Sequence, residues 1–228
     1  MKGIFSISLT ILLAFVIMSG IPSVLSDKAK AAAKDKTASK FLKEVSKKYK
    51  TYKSLKSEFS RLNEPADAKA AKKTEKGSLI SKGDKYKFVF LGQEIFCNGK
   101  YIWSYTKGGD CTKENYKPSN GKGLNPTKIF SIWEKGFLYA SDGSYKKGAT
   151  EINKIKLTPT DKTKGYFLMN LEAEKVSKSL LSLKISYSDG HKETYNITSQ
   201  TPNSSISDNT FEFDTKNYPG VEVIDLTK

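Results

Sequence analysis

Side chains able to do covalent or metal chemistry are few and scattered in this chain. Its 228 residues hold one histidine, His191, and two cysteines, Cys97 and Cys111. His191 follows Asp189-Gly190, a turn signal, and reads as an exposed turn residue. No His pair and no Cys/His cluster has the spacing of a metal site. The sequence contains no Gly-x-Ser-x-Gly elbow and no phosphate-cradling glycine loop before a helix. Acidic pairs such as Glu172 and Glu174 fall at strand ends or turns, where solvation is the simpler role. No nucleophile stands with a base. The expectation is a protein that is not an enzyme and uses no metal or cofactor.

Charge narrows the partners. The formal net charge is +15, and Arg61 is the only arginine among 39 basic residues. Nucleic-acid recognition draws on arginine for base and bidentate phosphate contacts, so no nucleic-acid partner is expected. A lysine-dominated surface is either simply solvated or attracted to an anionic membrane or acidic partner, in which case salt screens it.

Residues 1–26 should not enter the fold. Lys2 supplies a positive start, 4–18 form a short apolar run, and Pro22 with Val24-Leu25-Ser26 resembles a cleavage region. The run is shorter than the ~18–20 apolar residues of a spanning helix. It predicts an exported protein with a cleaved signal peptide. Residues 27–37 are Lys/Ala-rich and read as a flexible leader, and 38–228 as a single domain.

The elements centre on 94–105, where two aromatic-rich runs flank Asn98-Gly99. That pair predicts a two-residue type I′ hairpin, with Phe96 opposite Tyr101 and Ile95 opposite Ile102. Alternation puts Phe96, Tyr101, Trp103 and Tyr105 on one face, and Ile95, Cys97 and Ile102 on the other. Either a sandwich core or a ligand cavity fits a hairpin apolar on both sides. A returning strand over 111–116 sets Cys111 about 17 Å from Cys97, too far for a disulfide. Two free thiols are expected.

Along the rest of the chain, Phe41, Leu42, Val45, Tyr49 and Tyr52 form the apolar stripe of an amphipathic helix starting near Ala38. Strands follow at 55–60, 77–81 and 85–91, with 63–76 read as a long loop around Pro65. Asn125-Pro126 predicts the capped start of a second helix, whose apolar face carries Ile129, Phe130, Ile132 and Trp133. Further strands are read at 137–140, 151–158, 166–172, 179–187, 193–199, 211–213 and 221–224. Ten or eleven strands in near-continuous antiparallel order make a sheet that curls or closes. The two striped helices are the natural filling of its concave side.

The order of several short segments is similar to one family. They are Tyr52-Lys-Ser-Leu-Lys-Ser-Glu-Phe-Ser60, Gly77-Ser-Leu-Ile80, Phe96-Cys-Asn-Gly-Lys-Tyr-Ile-Trp-Ser-Tyr105, Asn125-Pro-Thr-Lys-Ile-Phe130, Ile155-Lys-Leu-Thr-Pro159, Asp208-Asn-Thr-Phe-Glu-Phe213 and Gly220-Val-Glu-Val-Ile-Asp225. Together they resemble the periplasmic outer-membrane lipoprotein carrier (LolA) family. The resemblance implies a mainly β (α+β) fold, an unclosed antiparallel β-barrel of about eleven strands covered by a helical lid. It also implies a monomeric, non-enzymatic periplasmic chaperone that holds lipoprotein acyl chains in a hydrophobic cavity. Its partners would be acylated lipoproteins, an inner-membrane lipoprotein-releasing ABC transporter, and the outer membrane or its receptor. One departure bears on mechanism. Gly83 stands where the family has an arginine that helps hold the lid, and Arg61 occupies a position usually held by glutamine. Arg61 is therefore a candidate lid latch.

On this reading the cavity is lined by Phe41, Val45 and Tyr49 from the first helix and Ile129, Phe130 and Trp133 from the second. Phe59, Phe88, Phe90, Trp103, Tyr105, Phe167 and Met169 join them from the sheet. Burying an acyl chain gains ~0.8 kcal/mol per methylene. A membrane offers nearly the same gain, so a carrier needs an adaptable cavity rather than a tight one. Two other readings stay open: a periplasmic lipid- or lipoprotein-binding sensor of the same fold, and a basic envelope-surface binding protein.

Overall fold

The computed structural model describes residues 35–117 and 126–227. One helix, α1 (Lys36–Lys50), precedes twelve strands: β1 (Leu55–Glu64), β2 (Lys73–Lys82), β3 (Lys85–Phe90), β4 (Gln93–Cys97), β5 (Tyr101–Thr106), β6 (Cys111–Asn115), β7 (Phe137–Lys147), β8 (Thr150–Pro159), β9 (Tyr166–Glu174), β10 (Leu180–Tyr187), β11 (Lys192–Pro202) and β12 (Val223–Asp225). A 3-10 helix, Pro126–Glu134, lies between β6 and β7. Two short 3-10 turns, Asp208–Phe211 and Thr215–Asn217, lie between β11 and β12.

All twelve strands form one sheet in the order β12-β6-β5-β4-β3-β2-β1-β11-β10-β9-β8-β7. β12 and β7 are its two edges, so the barrel is unclosed. Each pairing is antiparallel except β12 with β6. From β4 to β7 a flat sheet would span about 38 Å, whereas α1 is only about 22 Å long. Yet residues from β4 through β7 join α1 in one buried cluster, so the sheet curls around its helices. The fold class read from the sequence, an open antiparallel half-barrel with a helical cover, is the one observed.

Register assigns the faces. Opposite residues in paired strands share a face, which gives the helix-bearing, inner side to Leu55, Ser57, Phe59 and Arg61 of β1. Gly77 and Leu79 of β2, and Tyr86, Phe88 and Phe90 of β3, face the same way. The outer side of β4–β6 is a second cluster of Phe96, Trp103 and Cys111, covered by Phe213, Tyr218, Val221 and Val223 of the C-terminal segment.

Several elements differ from expectation. α1 starts at Lys36, inside the expected leader, because Asp35 caps it: Oδ1 accepts from the Thr37 and Ala38 amides at 2.9 and 3.1 Å. Both ends of the 63–76 loop are strand, since β1 runs to Glu64 and β2 begins at Lys73. Their polar inner residues had hidden them from the alternation. The 211–213 strand is replaced by the 3-10 turn ending at Phe211. The central turn is shifted by one residue on each strand: Cys97 pairs with Ile102, and Gly99-Lys100 is the loop. Positive φ occurs at Gly99 but not at Asn98 or Lys100, the type II′ pattern rather than I′. Asn98 Oδ1 instead accepts from the Lys100 and Tyr101 amides, both at 2.9 Å. A shift of two in the pairing preserves parity, so the two faces of the hairpin are as the sequence placed them. Asn125, the expected cap of the second helix, and residues 1–34 lie outside the described residues.

Candidate functional site

The inner face is built in two parts. In one part it is covered by α1, which meets β7, β10 and β11, and by the 3-10 helix, which meets β2 and β3; towards the C-terminal end of β1 it carries aromatic and charged side chains of the sheet alone.

The cover is held at three places. At its start, Asp35 Oδ2 accepts from the Ser141 amide of β7 at 2.8 Å. That bond, ahead of those to Ala38 and Thr37, draws the Asp35 carboxyl below its ordinary range. In the middle, the Trp133 indole N–H donates to Ser46 Oγ at 3.0 Å, and the Tyr139 hydroxyl donates to the Trp133 carbonyl at 2.6 Å. At its end, the Tyr49 hydroxyl donates to Gln200 Oε1 at 2.8 Å and accepts from the Leu180 amide at 2.9 Å. Burial raises the Tyr49 pKa, so the phenol stays protonated and able to donate. The Tyr49 ring stacks on Phe130 with centroids 4.4 Å apart and planes 6° from parallel. This one side chain therefore joins α1, the 3-10 helix, β10 and β11.

Beneath the cover, Phe41, Val45, Tyr49, Phe130, Trp133 and Met169 belong to the main buried cluster, with Phe88 and Ile129 packed against it. A cleft of about 180 Å³ opens between the end of α1, the 3-10 helix and the β2–β3 turn, beside Tyr52, Ser81 and Gly83. It falls short of the ~300 Å³ at which small-molecule pockets begin. Beneath the cover the clustered side chains pack against one another and against the sheet. Gly83 borders this cleft with φ +59° and nothing within 4 Å of where a Cβ would stand.

Two buried polar atoms lack a hydrogen-bond partner among the described residues: Ser57 Oγ and Gln200 Nε2. Ser57 and Gln200 face each other across β1 and β11, on the inner side, with Gln200 tied to Tyr49. An unsatisfied buried group costs roughly 1–3 kcal/mol.

In the second part, Phe59 contacts Phe88, Phe90 and Tyr195 at ring distances of 6.0, 5.4 and 6.2 Å. Beside them the Arg61 guanidinium lies 4.9 Å from the Phe90 ring. It meets Glu75 through Nε and Nη2 at 3.1 and 3.0 Å, and Glu193 through Nη1 at 2.7 Å. Glu193 is 7% exposed, and its other oxygen accepts from Tyr187 and Tyr195 at 2.9 Å each. Burial opposes the Arg61 charge, but Glu193 and Glu75 outweigh it and raise the pKa. Burial first and the Glu193 charge second raise those of Tyr187 and Tyr195. Arg61 is bonded across the sheet; among the described residues its hydrogen-bond and ion-pair partners are on β2 and β11, not on the cover.

Three sequence-predicted cavity residues lie elsewhere. Trp103 and Tyr105 are on the outer face, against Phe213 and Tyr218. Alternation separates two faces but does not say which is inner. Phe167 is 56% exposed. The irregularity where Ser186 pairs with Leu168 and Tyr187 with Tyr166 turns Tyr166 inward and leaves Phe167 outside. Sequence reasoning missed Gln200, Ser57 and Glu193; a buried partner for Arg61 was the one signal available for Glu193. Among the described residues, no group of three or more His, Cys, Asp or Glu is placed to hold a metal. No helix among them is long and apolar enough to cross a membrane.

No protein-family model matches the sequence, and no curated protein is found as its relative. Solved structures do match. An uncharacterized conserved protein from Thermus thermophilus superposes with a TM-score of 0.55 at 10% identity, covering 83% of this chain and 99% of that one. LprF from Mycobacterium bovis gives 0.49 at 11% identity, over 76% and 96% of the two chains. A LolA superfamily protein from Nitrosomonas europaea gives 0.40 at 10% identity, over 77% and 97%. The first likeness is one of fold, and the other two are looser. The fold expected from the LolA resemblance is met by the chain's own unclosed, helix-covered sheet.

Proposed function

We propose that this chain is an exported envelope protein that receives acyl chains of a lipoprotein on the inner face of the half-barrel and carries them between membranes. The observation behind this reading is the pair Ser57 Oγ and Gln200 Nε2, buried without partners among the described residues on the inner face, beside the apolar cluster under a cover of one α-helix and one 3-10 helix. When the cover moves aside, acyl chains replace the Tyr49, Phe130 and Trp133 side chains against the sheet. An ester or amide carbonyl at their head supplies the acceptor that Gln200 lacks. The displaced side chains and the bound chains bury similar apolar area, so the net free energy of loading is small. A carrier that must also unload needs that balance, because each ~1.4 kcal/mol of mismatch tilts the handover tenfold.

On this proposal residues 1–26 are a cleaved signal peptide, the protein works in the periplasm as a monomer, and no catalytic step is involved. An inner-membrane lipoprotein-releasing ABC transporter supplies the cargo, and the outer membrane or its receptor takes it. The test is binding of one lipoprotein in triacylated and de-acylated forms, at low and high salt. Binding that needs the acyl chains and survives salt is expected. Binding indifferent to acylation would overturn the proposal.

A further inference from the structure

The outward side of α1 carries a row of lysines that the fold does not use. Its exposed residues are Thr37 and five lysines, Lys36, Lys40, Lys43, Lys47 and Lys50. Steps of four, three and four residues return to one side of a 3.6-residue helix, so Lys36, Lys40, Lys43 and Lys47 form a straight stripe about 17 Å long. Lys50 is paired with Glu134. The other four have no ion-pair partner among the described residues. The helix's one acid, Glu44, is ion-paired with Lys178 of the β9–β10 turn, Nζ to Oε2 2.9 Å, and also feels the charge of Lys40.

Helix stability does not account for this row. Like charges three and four residues apart weaken a helix. Cations near the C-terminal end suit the helix dipole, but Lys36 and Lys40 sit at the N-terminal end, where it favours anions. On the sheet, by contrast, lysines with no ion-pair partner among the described residues, such as Lys56, Lys73 and Lys76, stand among paired ones: Lys82, Lys85, Lys87, Lys113, Lys154, Lys156 and Lys184 each lie within 4.0 Å of a carboxylate.

We propose that the Lys36–Lys40–Lys43–Lys47 stripe docks the cover of the half-barrel onto an anionic phospholipid surface. The chemistry favours lipid headgroups over an acidic protein. Stable protein interfaces have aromatic-rich, lysine-poor centres, and the exposed side of α1 offers no apolar or aromatic residue. A headgroup layer asks only for point charges spread over an area, which lysines supply. Docking in this way puts the movable part of the inner-face cover against the bilayer. The stripe does not depend on the acyl-chain reading, which a soluble fatty-acyl probe tests with no bilayer present.

The test is co-sedimentation of the purified protein with phosphatidylglycerol-rich and with phosphatidylcholine vesicles across a salt series. It compares the unaltered chain, K36Q/K40Q/K43Q/K47Q, and K56Q/K73Q/K76Q/K216Q, which removes the same charge from exposed sites on the sheet and C-terminal segment. Glutamine is nearly as good a helix former as lysine, and circular dichroism confirms that each variant folds. The expected result is binding to the anionic vesicles alone, released by salt. Roughly fivefold should be lost for each helix lysine, with a much smaller loss in the control variant. Equal losses in the two variants would reduce the effect to net charge and overturn the proposal. So would anionic-vesicle binding that the helix substitutions leave unchanged, as would no binding at all.

Discussion

The Phe59 ring lies directly over Gly77. A Cβ on Gly77 would stand 2.4 Å from Phe59 Cζ, closer than real side chains approach. The two residues are opposite one another across β1 and β2, and the missing side chain of one makes room for the ring of the other. Gly77→Ala should therefore push Phe59 out of its contacts with Phe88 and Phe90 and cost about 1–3 kcal/mol. Phe59→Ala in the same chain should recover much of that loss. Urea denaturation of the two single variants and the double variant checks this; additive losses would show that the ring had already moved freely.

Arg61 holds two carboxylates, one of them deeply buried. Arg61→Met should destabilise the protein by about 3–5 kcal/mol, because Glu193 keeps its charge and loses its counterion. Glu193→Gln in the Arg61→Met background should restore part of the stability at neutral pH. A latch role for Arg61 predicts faster acyl-probe release in Arg61→Met, whereas its position across the sheet predicts a loss of stability with the release rate little changed.

Tyr49→Phe keeps the stack on Phe130 and removes the hydroxyl shared by Gln200 and Leu180. A loss of about 1–3 kcal/mol is expected, since the Leu180 amide and the Gln200 carbonyl both lose a partner. The loss falls on the closed state alone, so uptake of a fluorescent fatty-acyl probe should be faster in stopped-flow mixing.

Asp208 joins the C-terminal segment to the β2–β3 hairpin through Lys82 and Lys85, at 2.8 and 2.7 Å. Hydrogen bonds from those lysines hold its pKa down to about 2. A carboxylate with a depressed folded pKa adds stability above its unfolded value, near pH 4, and loses it as pH falls towards the folded one. Thermal melts should show Asp208→Asn less stable than the unaltered chain at neutral pH. The difference should narrow between about pH 4 and pH 2, and salt should reduce it because the pair is exposed.

Cys97 belongs to the inner cluster and Cys111 to the outer one, both as free thiols. Burial raises both pKa values, that of Cys111 to about 11. Neither should react with iodoacetamide at neutral pH until denaturant is added, as followed by mass spectrometry. Oxidants should yield no intramolecular disulfide, because the sheet lies between the two sulfurs.

The architecture was legible wherever period and chemistry agreed. The α1 stripe, the closely spaced strands and the two faces of the 94–105 hairpin follow from apolar spacing alone. Inner and outer were not legible, because the C-terminal segment that buries Phe96, Trp103 and Cys111 arrives about a hundred residues later in the chain. Residues 63–64 and 73–76 looked like loop because β1 and β2 here carry a polar network, Arg61 with Glu75, where alternation expects apolar side chains. Phe167 was misplaced by one irregular pairing, which reverses a face in a single step. The Ser57–Gln200 pair has no sequence signature, since neither residue stands out before the strands are aligned.

The centre of the sheet is the pairing of β1 with β11, in which Leu55 lies opposite Pro202. Residues near the two ends of the domain thus meet in its middle, while β2–β6 and β7–β11 are each runs of neighbouring hairpins. Each run can assemble as it emerges, but joining them closes a loop of roughly a hundred and forty residues late. Folding should therefore be slow and end with that seam. Until it forms, α1 has no curled surface to lie on, and the cover over the inner face is the last part of the domain to settle.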